Sequence, residues 1–216
     1  MISKPKKFTL NRNARKFAIV ATSVILISKL VSYIILSSNQ KLGLHLDVYL
    51  NAHSILFSWM APIFIVVFYE KRSLVSLGLA SGRLSKYIYI GLVLVFIVLP
   101  LVLLNLDRII IIHLLEQVLF IAFAEEVLWR GYFQKRLSDW IGLHKGILLS
   151  SFVFGLGHLV SIHAVEGYLI PSYSLLTLAQ TSLGGLIFGF LFAWSRSIWP
   201  GAILHLFGNV FFSYIS

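Results

Sequence analysis

Long apolar runs, broken by short polar and basic stretches, dominate this chain from end to end. Seven of them are candidate membrane spans, at about 17–36, 48–69, 87–104, 108–137, 145–160, 173–194 and 199–215. A helix that crosses a bilayer needs roughly 20 mostly apolar residues. The runs at 145–160 and 199–215 are short by that measure, and the one at 108–137 is too long for a single simple span. Lys29 falls inside the first run, and Pro100 predicts a kink near the end of the third. The loops between runs are short. No long linker, low-complexity tract or internal repeat marks a second domain or a transporter built from duplicated halves. The pattern predicts an all-α fold: a polytopic transmembrane helical bundle of about seven membrane helices, with residues 1–216 forming a single integral membrane domain.

Composition fixes the solvent. Hydrophobic residues make up 58% of the chain and charged residues 12%, against about 25% charged in a soluble domain. With a mean hydropathy of +0.89, such a chain lacks the polar residues to cover a water-facing surface. It has no Cys, which excludes disulfides, thiolate metal sites and a cysteine nucleophile. A net charge of +10 would suggest nucleic acid on a soluble protein. Here the charge sits in short segments between apolar runs, so topology and anionic headgroups account for it, and the expected partner is the lipid bilayer and no nucleic acid. Lys4, Lys6, Lys7, Arg12, Arg15 and Lys16 precede the first run without a small-residue cleavage site, which predicts a retained first helix. A cytoplasmic N-terminus gathers that arm with Lys71, Arg72, Arg83, Lys86, Lys135, Arg136, Lys145 and Arg196 on the inner side, and leaves only Lys41 and Arg108 outside. The expected location is a bacterial cell membrane, as an integral protein with its N-terminus cytoplasmic.

Ionisable groups in membrane helices cost about 3 kcal/mol or more each at mid-bilayer, so they are candidates for function. The densest cluster is Glu125-Glu126-Val127-Leu128-Trp129-Arg130-Gly131. Glu126 and Arg130 are four apart, acid first, the favourable pairing order on a helix. Glu125 projects to another face, where its surroundings can tune it as a general base. Phe154 and His158 are four apart in the fifth run, among Gly155 and Gly157, which let another helix come close. His205 and Asn209 are four apart in the seventh. Each group alone has a structural explanation: solvated acids at the membrane surface, a hydrogen-bonded histidine, an asparagine joining two helices. Together, two carboxylates, two imidazoles and an amide on three helices are what a hydrolytic site uses, a base to activate water and donors to hold an oxyanion.

Glu-Glu-x-x-x-Arg, then Phe-x-x-x-His, then His-x-x-x-Asn, in order on successive membrane helices, resembles the CPBP intramembrane protease family. That family includes the CAAX prenyl endopeptidases (the Ras-converting enzymes) and bacterial proteins of bacteriocin processing and self-immunity, often labelled abortive-infection proteins. The resemblance covers Glu125 to Asn209; the first three runs carry no matching motif. It implies an intramembrane endopeptidase acting on a peptide or protein substrate in or at the membrane. It implies that Glu125, assisted by His158, activates the attacking water. Glu126 would orient Arg130, His205 and Asn209 would hold the oxyanion, and Phe154 would pack beside His158 at the substrate-binding side. Zinc is a candidate cofactor, with Glu125, His158 and His205 as candidate ligands around an open water position. A glutamate-activated water without metal fits the same residues and is preferred, because no His-Glu-x-x-His segment is present.

Two other readings compete. The chain could be a non-catalytic bacteriocin immunity or membrane scaffold protein that keeps the motif as polar glue, or a small transporter, against which the missing repeat counts. His113 and Glu116 fall outside the motif and are expected in packing or a water-filled cavity. Lys29 is expected to snorkel or pair locally. His45, His53, His144 and His163 are expected at surfaces or interfaces. The serines lack a Gly-x-Ser-x-Gly elbow, which leaves a serine protease a distant third.

Overall fold

Residues 13–42, 46–80, 82–94, 116–166 and 171–215 are described by the structure, a computed structural model. Every regular element among them is helical. Helix α1 spans Ala14–Leu42. Helix α2 runs over 46–69, α-helical at Leu46–Ser54 and Ala61–Phe64 and wound as π-helix at Ile55–Met60 and Ile65–Tyr69. A 3₁₀ turn at Leu74–Leu77 leads to helix α3, Lys86–Val93. Helix α4 covers 117–141, with π-helical stretches at Gln117–Ala122 and Val127–Gln134 around an α-helical Phe123–Glu126, and an α-helical Lys135–Ile141 at its end. Helices α5 (Leu143–Glu166), α6 (Pro171–Ser195) and α7 (Trp199–Ile215) complete the chain.

Among the described residues, seven helices thus stand where seven runs predict them. Four contain a segment long and apolar enough to cross a membrane: Ala14–Ser38, Tyr49–Tyr69, Leu143–Ser161 and Ser174–Ser195. The third expected span is described only as far as residue 94, so Pro100 lies outside the described residues, as do His45, His113 and the basic arm up to Arg12. Helix α4 carries Glu125, Glu126 and Arg130 in its middle, and α7 has 17 residues.

Helix α1 explains how an almost wholly apolar sequence chooses an inner face. Ala14, Ala18, Ala21, Ile25, Ser28 and Ser32 recur at helical spacing and are buried. The larger Ile19, Leu26, Ile27, Leu30 and Ile34 point outward and are more than half exposed. In lipid, burying a large side chain gains little, whereas small residues let helix backbones come close. The core onto which this face packs is aromatic: Trp129, Tyr132 and Phe133 of α4, Phe154 of α5 and Phe192 of α6. Helix α4 lies at the centre and is buried along the whole of Val127–Gln134. It presses against the 3₁₀ turn at Gly131, where an added Cβ would strike the carbonyl oxygen of Leu77. Gly142, at φ +91°, takes the sharp turn from α4 into α5.

The basic segments meet at one end of the bundle. Lys16 lies 4.9 Å from the ring centre of Tyr69, and Arg72 lies 5.2 Å from that of Phe17. Arg72 Nη1 pairs with Asp139 Oδ2 at 3.2 Å, and Lys135 pairs with the same carboxylate. Arg83 donates its backbone N–H to Ser195 O at 2.7 Å, which brings the α6–α7 turn with Arg196 to this end as well. Lys16, Arg72, Arg83, Lys135 and Arg196 therefore share one end of the bundle. Beneath these half-buried pairs lies one that is fully buried. Arg136 donates from Nε and Nη2 to the two oxygens of Glu70, at 3.0 and 2.7 Å.

Candidate active site

Ten residues separate Glu125 from Lys135 and six separate His205 from Trp199, so both lie roughly 10–15 Å inside the basic end of the bundle at helical rise. The candidate site is thus set back from the basic end of the bundle and not at it. Glu126 is buried and faces Arg130 one turn along α4, with Oε1 3.0 Å from Nη1. The Arg130 guanidinium is held between two rings, 4.4 Å from Phe154 and 5.3 Å from Phe188. Glu125 projects to a different face, as the spacing predicts, and its side chain keeps 25% of its surface exposed. The two adjacent acids therefore differ in kind. Glu126 is committed to an ion pair, and Glu125 is accessible.

Helix α7 brings His205 between them. Its Nε2 is 3.9 Å from Glu125 Oε2 and its Nδ1 is 3.4 Å from Glu126 Oε1. The ring stacks on Phe188 at 5.2 Å, which fixes its plane. Gly201 makes this approach possible, since a Cβ there would sit 2.9 Å from Glu126 Oε2. Asn209 follows one turn later on α7, half-buried. His158 contributes from α5. Its Nδ1 is 3.0 Å from Phe154 O, and because a carbonyl only accepts, Nδ1 carries the proton and Nε2 is the remaining acceptor. Its ring meets Phe154 edge to face at 4.6 Å, the predicted packing. His158, His205 and Arg130 all lie within electrostatic reach of Glu125. Among the described residues, both oxygens of Glu126, Nη1 and Nη2 of Arg130 and Nδ1 of His205 are buried without an aligned hydrogen bond. Close pairing with unused hydrogen-bonding capacity is unusual in an interior that serves packing alone.

The three polar helices sit in the segment that a family model matches. Residues 107–211 match the family described as Type II CAAX prenyl endopeptidase Rce1-like. That model is one of the CPBP family, and it covers just under half of the chain. Searches of curated proteins and of solved structures found no match. The matched family implies intramembrane peptidase activity, hence a peptide or protein substrate at the membrane.

Helices α1 and α2 lie outside the matched CPBP segment, yet α1 reaches the same site. Lys29 of α1 is turned inward, with Nζ 5.7 Å from the Trp129 ring centre and its chain against Gly157, where a Cβ would come within 2.7 Å of Cε. It interacts electrostatically with Glu125. Snorkelling is therefore not its role. No local spacing could have revealed this, because its neighbours are about 100 and 130 residues away in sequence. His53 of α2 joins the two N-terminal helices by a hydrogen bond to Ser28 O at 2.9 Å, the interface place expected of it. His144 is exposed, and Glu116 lies exposed near the start of α4. Gly155 faces α6 at Leu178 and Ser182, whereas Gly157 makes room for a side chain and not for a helix. The candidate zinc ligands Glu125, His158 and His205 do not converge. Among the described residues no group of three or more His, Cys, Asp or Glu is arranged to hold a metal ion. Among the described residues, the motif side chains thus do not fit a resident metal.

Proposed function

We propose that this protein is an intramembrane endopeptidase in which Glu125 activates the hydrolytic water, reached from a cytoplasmic basic end. The carrying observation is the division of labour between neighbouring acids: Glu126 buried against Arg130 at 3.0 Å, Glu125 a quarter exposed beside two histidines. Glu125 takes a proton from water as the water oxygen bonds to the scissile carbonyl carbon. His158 Nε2 accepts the water's second hydrogen bond and orients it. The carbonyl oxygen becomes an oxyanion, held by the imidazole N–H of His205 and the amide of Asn209. When the intermediate collapses, the C–N bond breaks and the proton held by Glu125 passes to the departing amine. The products are a carboxylate and an amine, with one water consumed. Arg130 holds Glu126, and through it His205, in register. Phe154 carries both the guanidinium and the His158 ring on its faces.

The substrate is a peptide or small membrane protein presented from the lipid, since the acids lie roughly 10–15 Å inside the bundle end. Purified wild type and Glu125→Gln, each offered a mixed peptide library in detergent and followed by mass spectrometry, test the reading. Wild type is expected to cut with and without a chelator, and Glu125→Gln to leave the library intact. Equal cleavage by both proteins would remove Glu125 from the chemistry. Loss of cleavage on chelation would restore the metal.

A further inference from the structure

We propose that Lys29, contributed by the N-terminal helix, is the countercharge of Glu125: a positioning residue that holds the catalytic carboxylate. The inference rests on the peptidase reading only for its kinetic consequence; the charge pair itself stands apart from it. An ammonium inside an apolar layer is retained only where it meets an opposite charge, a π face or a polar cavity. Lys29 makes no hydrogen bond or ion pair within contact distance among the described residues. Its Nζ lies beside the Trp129 ring at 5.7 Å, and Trp129 is one helical turn from Glu125 on α4. The chain of Lys29 passes through the space left by Gly157, which directly precedes His158. Four cationic or titratable groups act on Glu125: His205 from α7, His158 from α5, Lys29 from α1 and Arg130 from its own helix. Of these, Arg130 is bound to Glu126, His205 is shared between the two acids, and the His158 Nδ1 proton is given to Phe154 O. Lys29 is the one full charge in the set with no second carboxylate to serve. Helix α2 adds His53, on which Lys29 also acts, so the ammonium is the shared group of a polar seam joining α1, α2 and α4.

Two observations carry this independently. One is the inward course of the side chain to Trp129. The other is Gly157, whose missing Cβ opens the path, since Cε would be 2.7 Å and Nζ 3.2 Å from it. The seam also explains how helices without a family motif belong to the site.

The test is a double-mutant cycle on the full-length protein, with melting temperature in detergent as the first readout. Lys29→Met is measured in wild type and in Glu125→Gln. The expected result is non-additivity: the substitution shifts the melting temperature differently in the two backgrounds, because it strands a charge in the first and not in the second. Additive shifts would overturn the charge pair. Steady-state peptide cleavage is the second readout. Lys29→Met is expected to lower kcat roughly 10- to 100-fold with KM little changed, the size of one charge acting across a partly screened gap, and Lys29→Arg to recover most of it. A raised KM with unchanged kcat would overturn the proposal and make Lys29 a substrate anchor. Gly157→Ala, which crowds only the flexible end of Lys29, is expected to lower kcat in wild type and to have no further effect in Lys29→Met; equal effects in both backgrounds would count against it. Non-additive melting in a protein that cuts nothing would uphold the pair and sink the peptidase reading.

Discussion

At the scale of single residues, two carboxylates adjacent in sequence receive opposite fates from one helical step. Glu126 turns into the core, where a charge survives only in company, and Arg130 at 3.0 Å supplies it. Removing one partner of such a pair leaves the other charge buried and costs about 3–5 kcal/mol. Arg130→Met is therefore expected to destabilise the protein strongly, as a lowered melting temperature, whereas Glu125→Gln, at an accessible position, is expected to leave it folded and inactive. Asn209→Ala is expected to lower kcat by about 10²–10³, the loss typical of one oxyanion donor, without abolishing cleavage. Single-turnover rates on a peptide that wild type cuts would measure it. The Glu126–Arg130 and Phe154–His158 contacts were legible in sequence because the partners lie four apart on a helix. Lys29 was not, because the groups it serves arrive from α4 and α5, far along the chain.

At the scale of elements, the apolar runs gave the helices, and the spacing of small residues on α1 gave its inner face. The winding of α4 was not legible. Nothing in the apolar pattern separates π-helical Val127–Gln134 from an ordinary helix, because the difference is one hydrogen-bond register, and packing on all sides decides it. Close approaches were legible only in part. Gly155 meets α6 as expected, but Gly131 and Gly201 carry tighter contacts that no motif announced. Gly201→Ala is expected to push on Glu126 Oε2 and to reduce activity with a modest loss of stability, read as kcat beside melting temperature. Gly131→Ala should act the other way round. Its Cβ meets the rigid backbone of Leu77, so the expected outcome is a lower melting temperature first, with activity per folded molecule largely kept.

At the scale of the whole molecule, the basic segments seal one end of the bundle around a buried bidentate pair, Glu70 with Arg136, 66 residues apart. Charge counting gathered these segments on one side. It could not single out Arg136 from its exposed neighbours, since burial of that arginine depends on Glu70 arriving from another loop. Glu70→Ala is expected to cost about 3–5 kcal/mol and to loosen the end joining α2 to α4, seen as faster amide exchange there. The seam of α1 against α4 also orders events in time. Lys29 leaves the ribosome 96 residues ahead of Glu125, about 5–20 seconds at ordinary synthesis rates. During that wait the first helix carries an uncompensated charge into lipid and must tilt or slide to bring it near the headgroups. Insertion of the N-terminus is therefore provisional until the fourth helix arrives, and a chain stalled in between is the form most exposed to membrane quality control.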